Sequence, residues 1–202
     1  TSSGGNASSG NSVEPVQADA FTRTVNIINS GNYAMEGEMI TGGDTMNVSM
    51  TYCGDMIRMG VDIEGIRVDL ASVDDTFYMI NDEAKTYTTL SQSFMKMVDL
   101  DPSELDMSQM KWVLDAPETA QKESVSLNGK TVDCYTIGAN TGKLKIYMNG
   151  DVFLQLDVLD DSGKTTASYR ITAFRGGITE SDILPSDKYQ SQNFLTFFMD
   201  LM

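Results

Sequence analysis

The chain has 202 residues, enough for one well-cored domain, and its composition does not shift anywhere along the length in a way that would mark a second. Fourteen Lys and Arg against 29 Asp and Glu give a net charge of −15, which repels phosphate backbones and anionic headgroups and so excludes nucleic acid as a partner. Histidine is absent, which removes the commonest general base and metal ligand near neutral pH, and no run of eighteen apolar residues is present to span a membrane as a helix.

The first twelve residues are Gly, Ser, Asn and Thr with a single Ala7 and no charge. Such a stretch cannot bury enough apolar surface to offset the entropy of ordering it, so residues 1–12 are expected to be a flexible tether. Because the chain opens without a Met or a basic, apolar signal segment, we expect an exported protein whose signal has been removed. The matching address is extracytoplasmic: a bacterial cell-surface or envelope lipoprotein held to the membrane by a lipid anchor outside this chain. Val13-Glu14-Pro15 then opens a helix with Phe21, Val25 and Ile28 on one stripe and Gly31 as its stop.

Strand signals follow. Tyr33, Met35 and Met39 alternate with Glu36 and Glu38, a Gly42-Gly43-Asp44 turn leads back, and Met46, Val48, Met50 and Tyr52 alternate with polar residues. The alternation continues through Ile57, Met59 and Val61, then 66–70, 76–80 and 85–88, for six strands in a meander. From 91 to 115 it breaks, and Phe94, Met95, Val98, Leu105, Met110, Trp112, Val113 and Leu114 suggest a helical insert in two pieces around Asp101-Pro102. Strands resume at 122–127 and turn at Asn128-Gly129. They continue through 130–137, 143–148, 152–159, with Val152, Leu154, Leu156 and Val158 on one face, and 165–174, where Tyr169 and Ile171 point inward. Ile183-Leu184-Pro185 closes this region, and residues 191–202 read as a C-terminal helix with Phe194, Leu195, Phe198 and Leu201 on its buried stripe. Phe197 and Met199 fall off that stripe and offer a face for a protein partner or a second copy.

The expected fold is mainly β with α (α+β). About eleven antiparallel strands, paired in sequence order, form a strongly curved half-barrel sheet with helices covering the concave face, in one domain over 13–202. The order of elements, with the stretch from Phe77 to Tyr87 containing Lys85-Thr86-Tyr87 and the closing segment around Leu184-Pro185, resembles the LolA-like lipoprotein carrier fold. That resemblance implies an apolar cavity inside the half-barrel and a lipid or other hydrophobic small molecule as its occupant.

The abundance of methionine, 14 residues, gives this expectation its site. Tyr33, Met35, Met39, Met46, Met50, Tyr52, Met59, Phe77 and Tyr169 would line the concave face, with Trp112 on the insert above it, as a soft surface suited to ligands of variable shape. The same residues would equally serve as an ordinary core under the helices, which makes the alternative a surface interaction module with a self-filled interior. Asp99 with Asp101, and Asp160 with Asp161, lack the alternating ligands of a calcium loop and read as turns. No Ser-x-x-Lys or Gly-x-Ser-x-Gly is present, and paired carboxylates carry no spacing signal, so we expect no enzyme, no metal and no cofactor. Cys53 and Cys134 leave two readings open: a disulfide closing a loop of about 80 residues, worth roughly 4 kcal/mol, or two separate thiols.

Overall fold

A computed structural model describes residues 18–63, 66–74, 76–91 and 111–201. The tether 1–12, the helix signal at Val13 to Pro15 and the insert from 92 to 110 lie outside these residues.

Helix α1 spans Ala20–Ser30, and Asp19 caps it: its carboxylate accepts the Thr22 amide at 2.7 Å. Gly31 ends it in the left-handed region at φ 66°, where its amide reaches the Ile28 carbonyl. The predicted stripe of Phe21, Val25 and Ile28 is buried.

Six strands follow: β1 (Asn32–Thr41), β2 (Asp44–Cys53), β3 (Met56–Ile63), β4 (Ile66–Val73), β5 (Thr76–Asn81) and β6 (Thr86–Leu90). After the connection, β7 (Gln121–Leu127), β8 (Lys130–Ala139), β9 (Gly142–Asn149), β10 (Val152–Leu159) and β11 (Thr165–Gly176) form a second meander. A two-residue strand, β12 (Gln190–Ser191), and helix α2 (Phe194–Leu201) complete the chain. All the strands belong to one open, curved sheet ordered β12-β6-β5-β4-β3-β2-β1-β11-β10-β9-β8-β7.

The curved, mainly antiparallel sheet is as expected, but its strands are not paired in sequence order. β1 forms antiparallel ladders with both β2 and β11, so the two meanders meet at the first strand and β6 and β7 lie far apart across the sheet. β12 adds a twelfth, parallel partner on the outer edge of β6. At the seam, the register shifts between Glu36 and Gly37, a bulge that increases local twist. Gly37 is required there because a Cβ would collide with the Arg170 carbonyl.

Side chains alternate across the strands, so each face has its own core. On the concave face, α1 packs over β1 and β11, and Tyr33, Met35, Met50, Tyr52, Ile57, Ile146 and Leu156 join its apolar stripe. Tyr33 stacks on Tyr52 at 4.7 Å, and Phe21 on Tyr135 at 3.9 Å. On the convex face, Ile178 and Ile183 from the segment after β11 pack against Ala34, Ala71, Val73 and Ile80.

Three sequence readings are corrected. A register shift between Phe153 and Gln155 puts Phe153 in the core with Leu156, while Val152 is exposed. The end of the predicted helical insert is not helical: 111–113 are irregular and Leu114 forms a β-bridge to Ala139. The predicted stripe of the C-terminal helix is overturned at Leu195, Phe198 and Phe197, while Phe194 and Leu201 are half-buried and Met199 is exposed as expected. Phe197 is fully buried beside β6, whereas Leu195 is 73%, Met199 63% and Phe198 47% exposed. The helix is apolar nearly all round, so periodicity could not choose its buried side.

Cys53 and Cys134 are both free. They sit on β2 and β8, five strand positions apart, and at ~4.8 Å per spacing no disulfide can reach.

Candidate functional site

The concave face is only partly filled. Beside the core under α1, over the adjacent central strands β3-β2-β1-β11-β10, an open cavity of about 410 Å³ remains. Met39, Met46, Val48, Met50 and Met59 from β1–β3 and Val158, Ala167 and Tyr169 from β10–β11 line it, and Trp112 and Thr141 border it.

Of the predicted site residues, the structure therefore brings Met39, Met46, Met50, Met59, Trp112 and Tyr169 together around one space. Register explains the grouping. Met39 faces Met46 across β1 and β2, Tyr169 faces Met39 across β11, and Met50 faces Met59 across β2 and β3. Tyr33, Met35 and Tyr52 share this sheet face but are solid core, no more than 2% exposed, and do not line the cavity. Phe77 lies three strands out, in the row of Ile57, Ser72 and Leu90, and is also outside it.

Sequence reasoning missed Val48, Ala167, Val158 and Thr141 as lining residues. The first three follow from the period-two alternation that placed Met46, Tyr169 and Leu156; Thr141, in the β8–β9 turn, carried no signal.

Trp112 is held in place by its neighbours' backbone. The Asn29 amide brackets Leu114, accepting its N–H at 2.7 Å and donating to its carbonyl at 3.0 Å. Asn140 does the same one step earlier, accepting from Val113 N–H at 2.9 Å and donating to the Lys111 carbonyl at 3.0 Å. These two clamps satisfy polar groups that a helix would have paired internally, which is why 111–115 can run extended. Trp112, 6% exposed, then meets Tyr169 edge to face at 5.4 Å.

No charged side chain lines the cavity among the described residues. Burial pushes the Tyr169 phenol up, and burial also raises Tyr33 and Tyr52, so these rings are neutral near pH 7. Among the described residues there is no group of three Cys, Asp or Glu placed to hold a metal ion. The Asp160 carboxylate is occupied as a turn lock, accepting from Ser162 and Lys164. Asp99 and Asp101 lie outside the described residues.

The polar chemistry sits instead on the convex face. Ser49, Arg67, Asp69, Arg58, Asp82, Tyr189 and Lys85 form a continuous ladder, with Arg58 bridging Asp69 and Asp82 at 2.7 Å each. Partial burial would raise the Asp82 carboxyl, but the Tyr189 hydroxyl and the Arg58 guanidinium outweigh it and hold it below the usual range. This ladder pins the segment after β11 to the sheet. It is a fastening, turned away from the cavity.

No protein-family model matches the chain, and no curated protein matches it. Among solved structures, an uncharacterised conserved protein from Thermus thermophilus is 12% identical with a TM-score of 0.39, covering 85% of this chain and 97% of that one. MucB is 12% identical, also at 0.39, covering 84% of this chain and 62% of its own. The Pseudomonas aeruginosa MucA/MucB complex matches at 14% identity and 0.39, again with 62% of that chain covered. At these values the likeness assigns no activity.

Proposed function

We propose that this protein is a non-enzymatic, extracytoplasmic binding protein that takes a lipid or another hydrophobic small molecule into its half-barrel cavity. The observation that carries the reading is the open apolar cleft of about 410 Å³ on the concave face, a size within the range of ligand sites and too large for a close-packed core. Its walls carry no charged side chain to pair with an ionic headgroup, so the apolar part of the ligand goes in and any headgroup stays at the mouth. Burying about ten methylenes there would gain ~8 kcal/mol, enough to offset much of the cost of association. The uncharged Gly/Ser-rich composition of residues 1–12 supports a tethered setting.

The test is extraction of the purified protein with organic solvent followed by mass spectrometry, together with uptake of a fluorescent fatty acid. Bound lipid or saturable uptake is expected, and Ala167→Phe, which projects a ring into the cleft, should weaken uptake at least tenfold without unfolding the protein. Neither extracted lipid nor uptake by the wild type would overturn the reading.

A second reading, a protein-interaction module, draws support from the exposed Leu195, Phe198 and Met199 on α2. It would require that Leu195→Asp with Met199→Asp abolish partner capture while fatty-acid uptake stays intact.

A further inference from the structure

Four of the cavity's lining side chains are thioethers, and their placement carries a chemistry distinct from apolar packing. Met39 lies directly opposite Met46, and Met50 directly opposite Met59, on three adjacent strands of the same face with Val48 between the pairs. Residues opposite one another have Cβ atoms ~4.5–5.5 Å apart, and methionine's three rotatable bonds let the sulfurs of Met39, Met46 and Met59 turn into the space they border, while the Met50 sulfur accepts the Tyr52 hydroxyl at 3.5 Å. Tyr169 sits beside Met39 on the same sheet face, and Trp112, from the crossover segment, borders the space with an indole of the kind that attracts cations.

Thioether sulfur is a soft, uncharged donor. It binds closed-shell soft cations such as Cu(I), whereas Mg²⁺ and Ca²⁺ need hard oxygen ligands and Zn²⁺ thiolate, imidazole or carboxylate. Among the described residues the cavity wall contains no carboxylate, thiol or imidazole, and the oxygen-bearing side chains on it are the neutral hydroxyls of Thr141 and Tyr169, so its donor set is dominated by thioether sulfur. The protein's net charge of −15 also raises the local concentration of any cation.

We propose that the cavity is a binding site for a soft monovalent metal cation of the Cu(I) class, held by the thioethers of the Met39–Met46 pair and Met59 beside Trp112. The site stands whether or not the cavity also takes lipid.

Ag(I) serves as a redox-inert probe, added to the full chain carrying Cys53→Ser so that the partly exposed thiol does not compete; Cys134 is fully buried. With methyl-¹³C-methionine labelling, saturable shifts of the Met39, Met46 and Met59 methyl resonances at one equivalent are expected. Quenching of Trp112, the only tryptophan, should follow the same curve. Met39→Leu and Met46→Leu should each weaken binding at least tenfold, while Met199→Leu, on exposed α2, and added Zn²⁺ should change nothing. Leucine preserves the apolar volume, so fatty-acid uptake by these variants reports on the lipid reading separately. Shifts that do not saturate, that arise first at Met199, or that survive both leucine substitutions would overturn the proposal.

Discussion

Asn29→Ala tests the link between the crossover segment and the cavity. The side chain makes two hydrogen bonds to the Leu114 backbone, at 2.7 and 3.0 Å, each worth ~1 kcal/mol net. Asn29 itself is on the exposed side of α1 and its two bonds to the 5%-exposed Leu114 are part-buried, so the ~1 kcal/mol per bond is a lower bound. Alanine also improves the last turn of the helix by about 0.5 kcal/mol. The net loss is therefore at least about 1.5 kcal/mol, or roughly 3–6 °C in Tm for a domain of this size. Urea unfolding followed by Trp112 fluorescence reads the global term, and the native emission maximum reads the local one, with a red shift expected as the segment loosens. Asn29→Asp should be at least as damaging, because it sets a carboxylate against the Leu114 carbonyl. Since Asn140 clamps the same segment, Asn29→Ala with Asn140→Ala should show coupling and not simple additivity. A change within about 0.5 kcal/mol with an unmoved emission maximum would refute the clamp as described.

Gly60→Ala should destabilise by about 1–3 kcal/mol in the same urea assay, because a Cβ there would collide with Asp69 Oδ1, Arg67 Nη2 and Ser49 Oγ of the convex ladder. In the native protein a thiol reagent such as DTNB should modify Cys53 and spare Cys134, which is fully buried and whose thiol is pushed up chiefly by burial; denaturant should release the second equivalent. Asp19, held low by the Thr22 amide, Asp82, held low by Tyr189 and Arg58 against its burial, and Asp182, held low by the Thr179 amide and Arg175, all have depressed carboxyls. Their contribution is fully present above the unfolded carboxylate range near pH ~4 and is lost as pH falls through the folded values, so Asp82→Asn should lower the neutral plateau of a stability–pH profile and flatten its acid limb, leaving the neutral slope unchanged.

What the sequence made legible was local. Alternation along a strand and turn residues between strands act over a few positions, so the hairpins and the inward set of Met39, Met46, Met50 and Met59 could be read directly. The pairing of β1 with β11 could not, because a ladder between residues such as Tyr33 and Gly176 leaves no trace in either segment alone. Phe197 was assigned to the wrong side for another reason: α2 has eight residues and apolar groups on several faces, so burial is decided by contact with β6 and not by period. Trp112 was placed correctly over the cavity but in the wrong conformation, since the Asn29 and Asn140 clamps that hold it extended come from distant parts of the chain. Tyr33 and Met35 show the remaining limit, for core and cavity wall lie on the same strand face and differ only in whether α1 covers them.

The seam at β1 also sets an order of assembly. During synthesis β1 can pair with β2 almost at once, but its other edge must wait until β11 has been made, leaving an unpaired strand flanked by methionine-rich apolar surface through the production of more than half of the chain. Long-range ladders of this kind slow folding and expose edges that other chains can join. The first meander is therefore the aggregation-prone half of the molecule, and a nascent chain stalled before β11 is the form most in need of a holding chaperone.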